Sequence, residues 1–372
     1  MPLAVGLSGS GFLIVFLLGA LVGLEEGGAI KRLGVPSSEL ATFAGSSGGA
    51  ILAVASGLGL PYDVVYRETS RLADYCAAHN DCALSLDAEV RRTLQAALHG
   101  APDQAALAEA VARCRGRVFV NLSVFSPFKT TSSDTNDDED DGDDGDNPFN
   151  AMRGRRFKSG GRSRNTTDPL RRSNANALSE IGLGLRPGAL LCDAAASKPG
   201  ARVALLAATQ RALPPGLGLH PRPWLVSDWI DPMDIVDAVA ASAFNSLLSG
   251  LAPTTSFRGS LPLIADGIYT TPLPVPPEAK NATVVRISAV PEGFALAPGS
   301  AAIRHADIAP GKRTGPGLLA GLTVEEWLCH SVVVADPATR RAMYELGRRE
   351  AELYLLEGRE RGGGRAVTDG GQ

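Results

Sequence analysis

Aromatic residues make up only 5% of this 372-residue chain, too few for the stacking platforms on which single-stranded nucleic acid rests. A basic excess is missing too. Lys and Arg total 36 against 40 Asp and Glu, a formal net charge of -4 with a pI of about 5.8, so a polyanion meets no overall attraction. Both absences argue against a nucleic-acid partner. The five cysteines, Cys76, Cys82, Cys114, Cys192 and Cys329, are odd in number and scattered, without CxxC spacing or a histidine in zinc-ligand register. They are expected to be free, mostly buried thiols of a reducing compartment. His79, His99, His220 and His305 share no spacing that suggests a metal, and GxxxxGK[ST] is absent. No cofactor is expected.

Charge is also missing from the first 24 residues, MPLAVGLSGSGFLIVFLLGALVGL. That length would suffice to cross a bilayer. The segment nevertheless lacks a basic n-region and a basic flank, it is interrupted by SGSG, and Glu25 and Glu26 precede the first basic residue. A buried strand, a glycine turn and a core helix are therefore expected in place of a membrane span through residues 12–24.

With 44% hydrophobic residues the chain can build a large core. Residues 3–8 read as a buried strand, 9–11 as a turn and 12–26 as a helix; LATFA (40–44) reads as the next strand, followed by GSSGG and an Ala-rich helix. Strand, glycine turn and helix, twice over, is the rhythm of a parallel sheet with helices on its faces. Residues 61 to about 116 read as helical with a break near Gly100 and Pro102, and VFVNLSVF (118–125) as a strand. Beyond Lys129 an acidic block, TSSDTNDDEDDGDDGD, is followed by a basic one, RGRRFKSGGRSR. Such segments cannot recover their ordering entropy, and 131–177 is expected to be a disordered insertion. A short helix or strand is expected at 203–210, a helix from the Asp231-Pro232 start signal through Leu248, a strand and turn in GSLPLIADGIYTTPLPV (259–275), a strand in 281–290, and a last helix started by Asp336 and Pro337. The organisation is one domain over 3–310 interrupted by that insertion, a helical extension over 311–358 and a flexible tail over 359–372.

Three pieces could carry chemistry. In GSSGG (45–49), Ser47 holds the central position of GxSxG between an apolar strand and a helix. A sharp strand-to-helix turn exposes such a serine, and small flanking residues let the chain make it. LSGSGFL (7–13) exposes successive backbone N–H groups, so Gly9, Ser10 and Gly11, together with Gly48 of the elbow, are candidate donors to an oxyanion. In IADGIY (264–269), Asp266 ends an apolar strand and could take the serine proton directly if desolvation raised its basicity. His330 lies downstream of Asp266, which leaves a Ser47–Asp266–His330 triad as a competing arrangement; its setting in WLCHSVVV reads instead as the interior of an element.

With LSGSGFL, GSSGG, DIVDAVAASAF and GSLPLIADGIYTTPLPV, the chain resembles the patatin-like phospholipases and acylhydrolases, including related triacylglycerol lipases, over most of residues 3–290 outside the charged insertion. The resemblance implies a three-layer α/β/α sandwich with a mostly parallel central sheet, and a Ser47–Asp266 dyad that works without histidine through an acyl-enzyme. It implies as substrates the esters of phospholipids or acylglycerols at a membrane or lipid-droplet surface, and an intracellular, peripherally associated protein. Leu13 and Ile14 stand where the family has a basic residue and a glycine, Ile268 follows Asp-Gly in place of Gly or Ala, and Pro272 stands where Asn is common. If these changes silenced the dyad, the same fold would serve as a lipid-binding or scaffold protein.

Overall fold

Leu3–Leu7 and Thr42–Ser46 form two adjacent parallel strands, β1 and β2, because both runs are apolar enough to be covered on both sides. The computed structural model describes residues 3–126 and 220–363, except 32–34, 37–38, 80–81, 83–84, 100–102, 245–248, 250–253, 260–263, 278, 280–281, 295–301 and 316–318. The expected insertion at 131–177 and the expected element at 203–210 lie outside the described residues. β3 (Val118–Ser126) continues the sheet parallel to β2, and β6 (Thr283–Ile287) joins the other side of β1, also parallel. β4 (His220–Val226) closes the β3 side antiparallel, giving the order β4-β3-β2-β1-β6. The architecture is an α/β fold whose central, mostly parallel sheet is flanked by helices on both sides.

One short strand brings distant segments together. β5 (Ile264–Asp266) pairs antiparallel with Leu122–Val124 of β3, whereas β2 pairs its residues Phe43 to Ser46 with Val118–Asn121 of the same strand. β4 runs along β3 from Val120 to Ser126, so β5 shares the other edge with β2 and takes over where β2 ends. The last residue of β5 is thereby brought to the carboxyl end of β2, the end at which open α/β sheets hold their ligands.

The segment weighed as a membrane span is core. A 3₁₀ turn (Gly11–Leu13) leads into α1 (Ile14–Glu26), in which Val15, Phe16, Leu17, Leu18, Leu21 and Leu24 are all buried. No helix among the described residues is long and apolar enough to cross a membrane. α1 is covered by the last helix, α8 (Pro337–Gly363), whose Met343, Leu346 and Ala351 are buried. The two backbones meet closely. A Cβ at Gly19 would stand 2.0 Å from the Tyr344 carbonyl oxygen, and one at Gly347 would stand 2.1 Å from that of Phe16. Asp336 starts α8 as expected, accepting from the Ala338 and Thr339 N–H groups, and the helix runs to Gly363.

Helices α2 (Gly48–Leu58), α3 (Tyr62–Ala78), α4 (Leu86–His99) and α5 (Gln104–Cys114) fill the crossover between β2 and β3. The break between α4 and α5 falls between His99 and Gln104, in the expected region. A second break, between α3 and α4, was not expected, and a disulfide spans it. Cys76 and Cys82 form a disulfide, which overturns the expectation of free thiols for this pair. The chain folds back there because the His79 N–H bonds the Cys76 carbonyl and the Cys82 N–H bonds that of His79, bringing the two Cα atoms to 4.6 Å. Cys114 is free and buried and Cys329 is free and half-buried, while Cys192 lies outside the described residues. α6 (Pro232–Ser242) is capped by Asp231 and stops well before Leu248, and α7 (Val324–Cys329) is a short helix with a Thr323/Glu326 capping box.

Candidate active site

The elbow forms at the junction of β2 and α2. Ser47 adopts φ 53° and ψ -126°, a region that costs a non-glycine residue on the order of 1–3 kcal/mol and persists only where the surroundings enforce it. Two glycines make the enforcement possible. A Cβ at Gly45 would lie 2.2 Å from the Gly49 carbonyl oxygen, and one at Gly49 would lie 2.2 Å from that of Ser8, so the chain turns back on itself and seats against the end of β1 only with hydrogen at both positions. The Ser47 N–H is held by Ser242 Oγ at 2.9 Å, and the Ser242 hydroxyl donates in turn to the Asn121 carbonyl at 2.7 Å. Ser47 itself is 8% exposed.

Asp266 is 2% exposed. Burial pushes its carboxyl up to about 7, against a smaller pull downward from the Ile268 N–H and from the Ser47 side chain. The Ile268 N–H reaches Asp266 Oδ1 at 3.0 Å. Ile268, one of the departures from the family pattern, causes no strain: it lies buried in the 3₁₀ turn Gly267–Tyr269 and is not among the non-glycine residues with positive φ. Asp266 is therefore a desolvated, weakly supported carboxyl, basic enough to take up a proton near neutral pH.

The glycine turn packs directly on the elbow. A Cβ at Gly48 would be 2.2 Å from Ser10 Oγ and 3.5 Å from the Gly11 nitrogen. Gly9, one of the expected donors, is occupied otherwise: its N–H bonds the Pro272 carbonyl at 3.1 Å. Phe12 is occupied too, donating to the Ser331 carbonyl at 3.3 Å. Of the four expected donors, that leaves the N–H groups of Ser10, Gly11 and Gly48. Pro272, another of the departures, thus serves as a backbone tie between the aspartate segment and the glycine turn.

Several supporting residues went unnoticed in the sequence. Asn121 Nδ2 donates to the Gly267 carbonyl at 2.8 Å, to the Thr271 carbonyl at 3.1 Å and to Ser46 Oγ at 3.1 Å. Ser123 Oγ donates to the Asp266 carbonyl at 2.7 Å, and Ser46 Oγ to the Thr271 carbonyl at 2.9 Å. Together they sew β2, β3 and the aspartate segment into one unit. A signal was present: Asn121 and Ser123 are polar residues two apart in an otherwise apolar strand, so they point to one face. Ser242 gave no comparable hint, being one small residue in an Ala-rich helix.

His330 ends α7 with its Nδ1 near the Val333 carbonyl, at 3.2 Å, and neither Ser47 nor Asp266 is among its hydrogen-bond partners. No group of three or more metal-ligating side chains occurs among the described residues. Outward from Ser47 lies a pocket of about 550 Å³, open mouth included, whose walls include Phe12, Gly48, Ile51, Leu72 and Val90. Arg340, buried by its ion pair with Asp74 and its bond to the Ala335 carbonyl, stands at its margin. Comparison with protein-family models, with curated proteins and with solved structures finds no match to this chain.

Proposed function

We propose that this chain is a serine acyl hydrolase acting on the carboxylic esters of phospholipids or acylglycerols at a lipid surface. The observation that carries the reading is the pairing of a serine held at a strained elbow with a buried carboxyl raised to about 7. Asp266, ionised, takes the Ser47 hydroxyl proton as Oγ attacks the acyl carbonyl. The oxyanion that forms is met by the N–H groups of Gly48 and of the Ser10–Gly11 turn. The tetrahedral intermediate collapses, the C–O bond to the alcohol breaks, and the alcohol leaves with the proton from Asp266. Water, deprotonated by the same carboxylate, then attacks the acyl-enzyme and releases the fatty acid with Ser47 restored.

A second reading draws on the apolar walls of the pocket, which would suit lipid whether or not Ser47 reacts: a noncatalytic lipid-binding protein. Labelling with an activated alkyl phosphonate separates the two. The hydrolase reading expects stoichiometric labelling at Ser47 and ester turnover that disappears in Ser47→Ala and Asp266→Asn. Turnover that survives Ser47→Ala would refute it, and a folded, inert and unlabelled wild type would favour lipid binding.

A further inference from the structure

The pocket at Ser47 does not end at its own walls. A second hollow of about 540 Å³, open mouth included, lies beyond it between α2, α3 and α4, with Leu60, Val64, Val65 and Leu94 on its sides. Ile51, Thr69, Leu72 and Val90 border both hollows, so the two form one continuous groove leading away from the serine. Its far part presents an entirely apolar surface. Ile51, Leu60, Val64, Leu72 and Leu94 are left half-buried there, although the rest of the apolar set around them is packed. Glu68, Thr69 and Thr93 stand around that far part but contribute no polar surface to it, so a polar group would find no partner there. A polymethylene chain would, since each methylene withdrawn from water into such a surface strengthens binding by about fourfold.

We infer that this groove is the acyl-chain channel of the site: the ester carbonyl sits at Ser47, the chain passes between Ile51 and Val90, and the compartment around Val64 and Leu94 selects for long acyl groups. The inference rests on the hydrolase reading for its chemistry but not for its binding, and the two can be tested apart. In the full-length protein, Leu94→Trp fills the far compartment while leaving Ser47, Asp266 and the oxyanion donors untouched. Val64→Trp enters the same compartment from α3 and replaces it should Leu94→Trp fail to fold.

Two measurements are made with each variant: kcat/KM for butanoyl and palmitoyl esters, and palmitate binding by calorimetry in a Ser47→Ala background. The expected result is a loss of about tenfold or more for the palmitoyl ester with the butanoyl ester within about twofold of wild type. Palmitate binding falls in parallel. Equal losses for both esters, or palmitoyl turnover and palmitate binding both unchanged, would overturn the channel. If wild type hydrolyses neither ester but palmitate binds and Leu94→Trp abolishes that binding, the channel stands and the hydrolase reading fails.

Discussion

Glu350 and Asp266 are both buried carboxylates, and their surroundings could hardly differ more. Glu350 of α8 is fully buried and accepts from the Arg313 N–H at 3.0 Å, the Thr314 N–H at 3.0 Å and the Thr314 hydroxyl at 2.8 Å. Its oxygens are saturated by donors, and it fastens the chain around residue 313 to the last helix. Asp266 has one backbone N–H and the Ser47 side chain, and burial outweighs both. A carboxylate that holds a fold together is surrounded by donors; one that is to take a proton is left short of them. The Asp266 carboxyl is raised because burial removes its water and only the Ile268 N–H and the Ser47 side chain oppose that effect.

The comparison breaks most visibly at the dyad. Ser47→Ala or Asp266→Asn is expected to lower kcat by about 10⁴-fold or more, measured on a soluble ester with the folded state checked by circular dichroism. An equivalent change at the other carboxylate should do the reverse. Glu350→Ala strands two backbone N–H groups and a hydroxyl and should cost about 3 kcal/mol of stability, read by urea unfolding, while kcat per folded molecule stays at the wild-type level. If Glu350→Ala abolished ester turnover at full stability, the division of labour drawn between the two would be wrong.

Titration sharpens the contrast. The folded carboxyl of Asp266 lies at about 7 against an ordinary 3.8, so between those values the folded state holds a proton that the unfolded state has lost. Stability contributed by this site is therefore full below pH 3.8, is lost as pH rises toward 7, and stays lost above it. Asp266→Asn removes the ionisation, and at about pH 8 the variant should exceed wild type by on the order of 4 kcal/mol, the gap closing by about pH 4. Activity should run the other way, with kcat/KM rising through about pH 7 to a plateau, because only the ionised carboxylate accepts the serine proton. A flat profile from about pH 5 to 9 would remove Asp266 as the base.

Smaller effects probe the supports. Ser242→Ala takes the acceptor from the Ser47 N–H and the donor from the Asn121 carbonyl, and a cost of about 1–2 kcal/mol with a lowered kcat is expected from a loosened elbow. His330→Ala should change kcat by less than about twofold; a loss comparable with that of Ser47→Ala would restore the three-residue arrangement.

The alternation of apolar runs with glycine turns was enough to read the parallel sheet and the order of its first two strand-helix units, since a strand covered on both faces must be apolar throughout. Ser47 was legible for the same reason: Gly45 and Gly49 are local requirements of the turn that presents it, and local requirements leave residues in fixed spacing. α1 was legible as core from the missing basic flank, the SGSG interruption ahead of it and the acidic pair Glu25 and Glu26, although α8 as the partner that uses Gly19 was not. The Cys76–Cys82 bridge escaped because a scattered count carries no information on which turn brings two thiols together.

What only the tertiary structure decided concerns the meeting of distant segments. Asp266 stands 219 positions after Ser47 in the chain, and nothing in its own segment announces that β5 takes over the β3 edge where β2 stops. That Gly9 is claimed by Pro272, that Ser242 braces the elbow, and that burial lifts Asp266 toward 7 are likewise contacts between segments far apart in the chain. The sequence by itself determined the local shapes, because backbone sterics and hydrophobic periodicity act between neighbours; the basicity and the groove arose only when packing removed water from groups that the chain keeps apart.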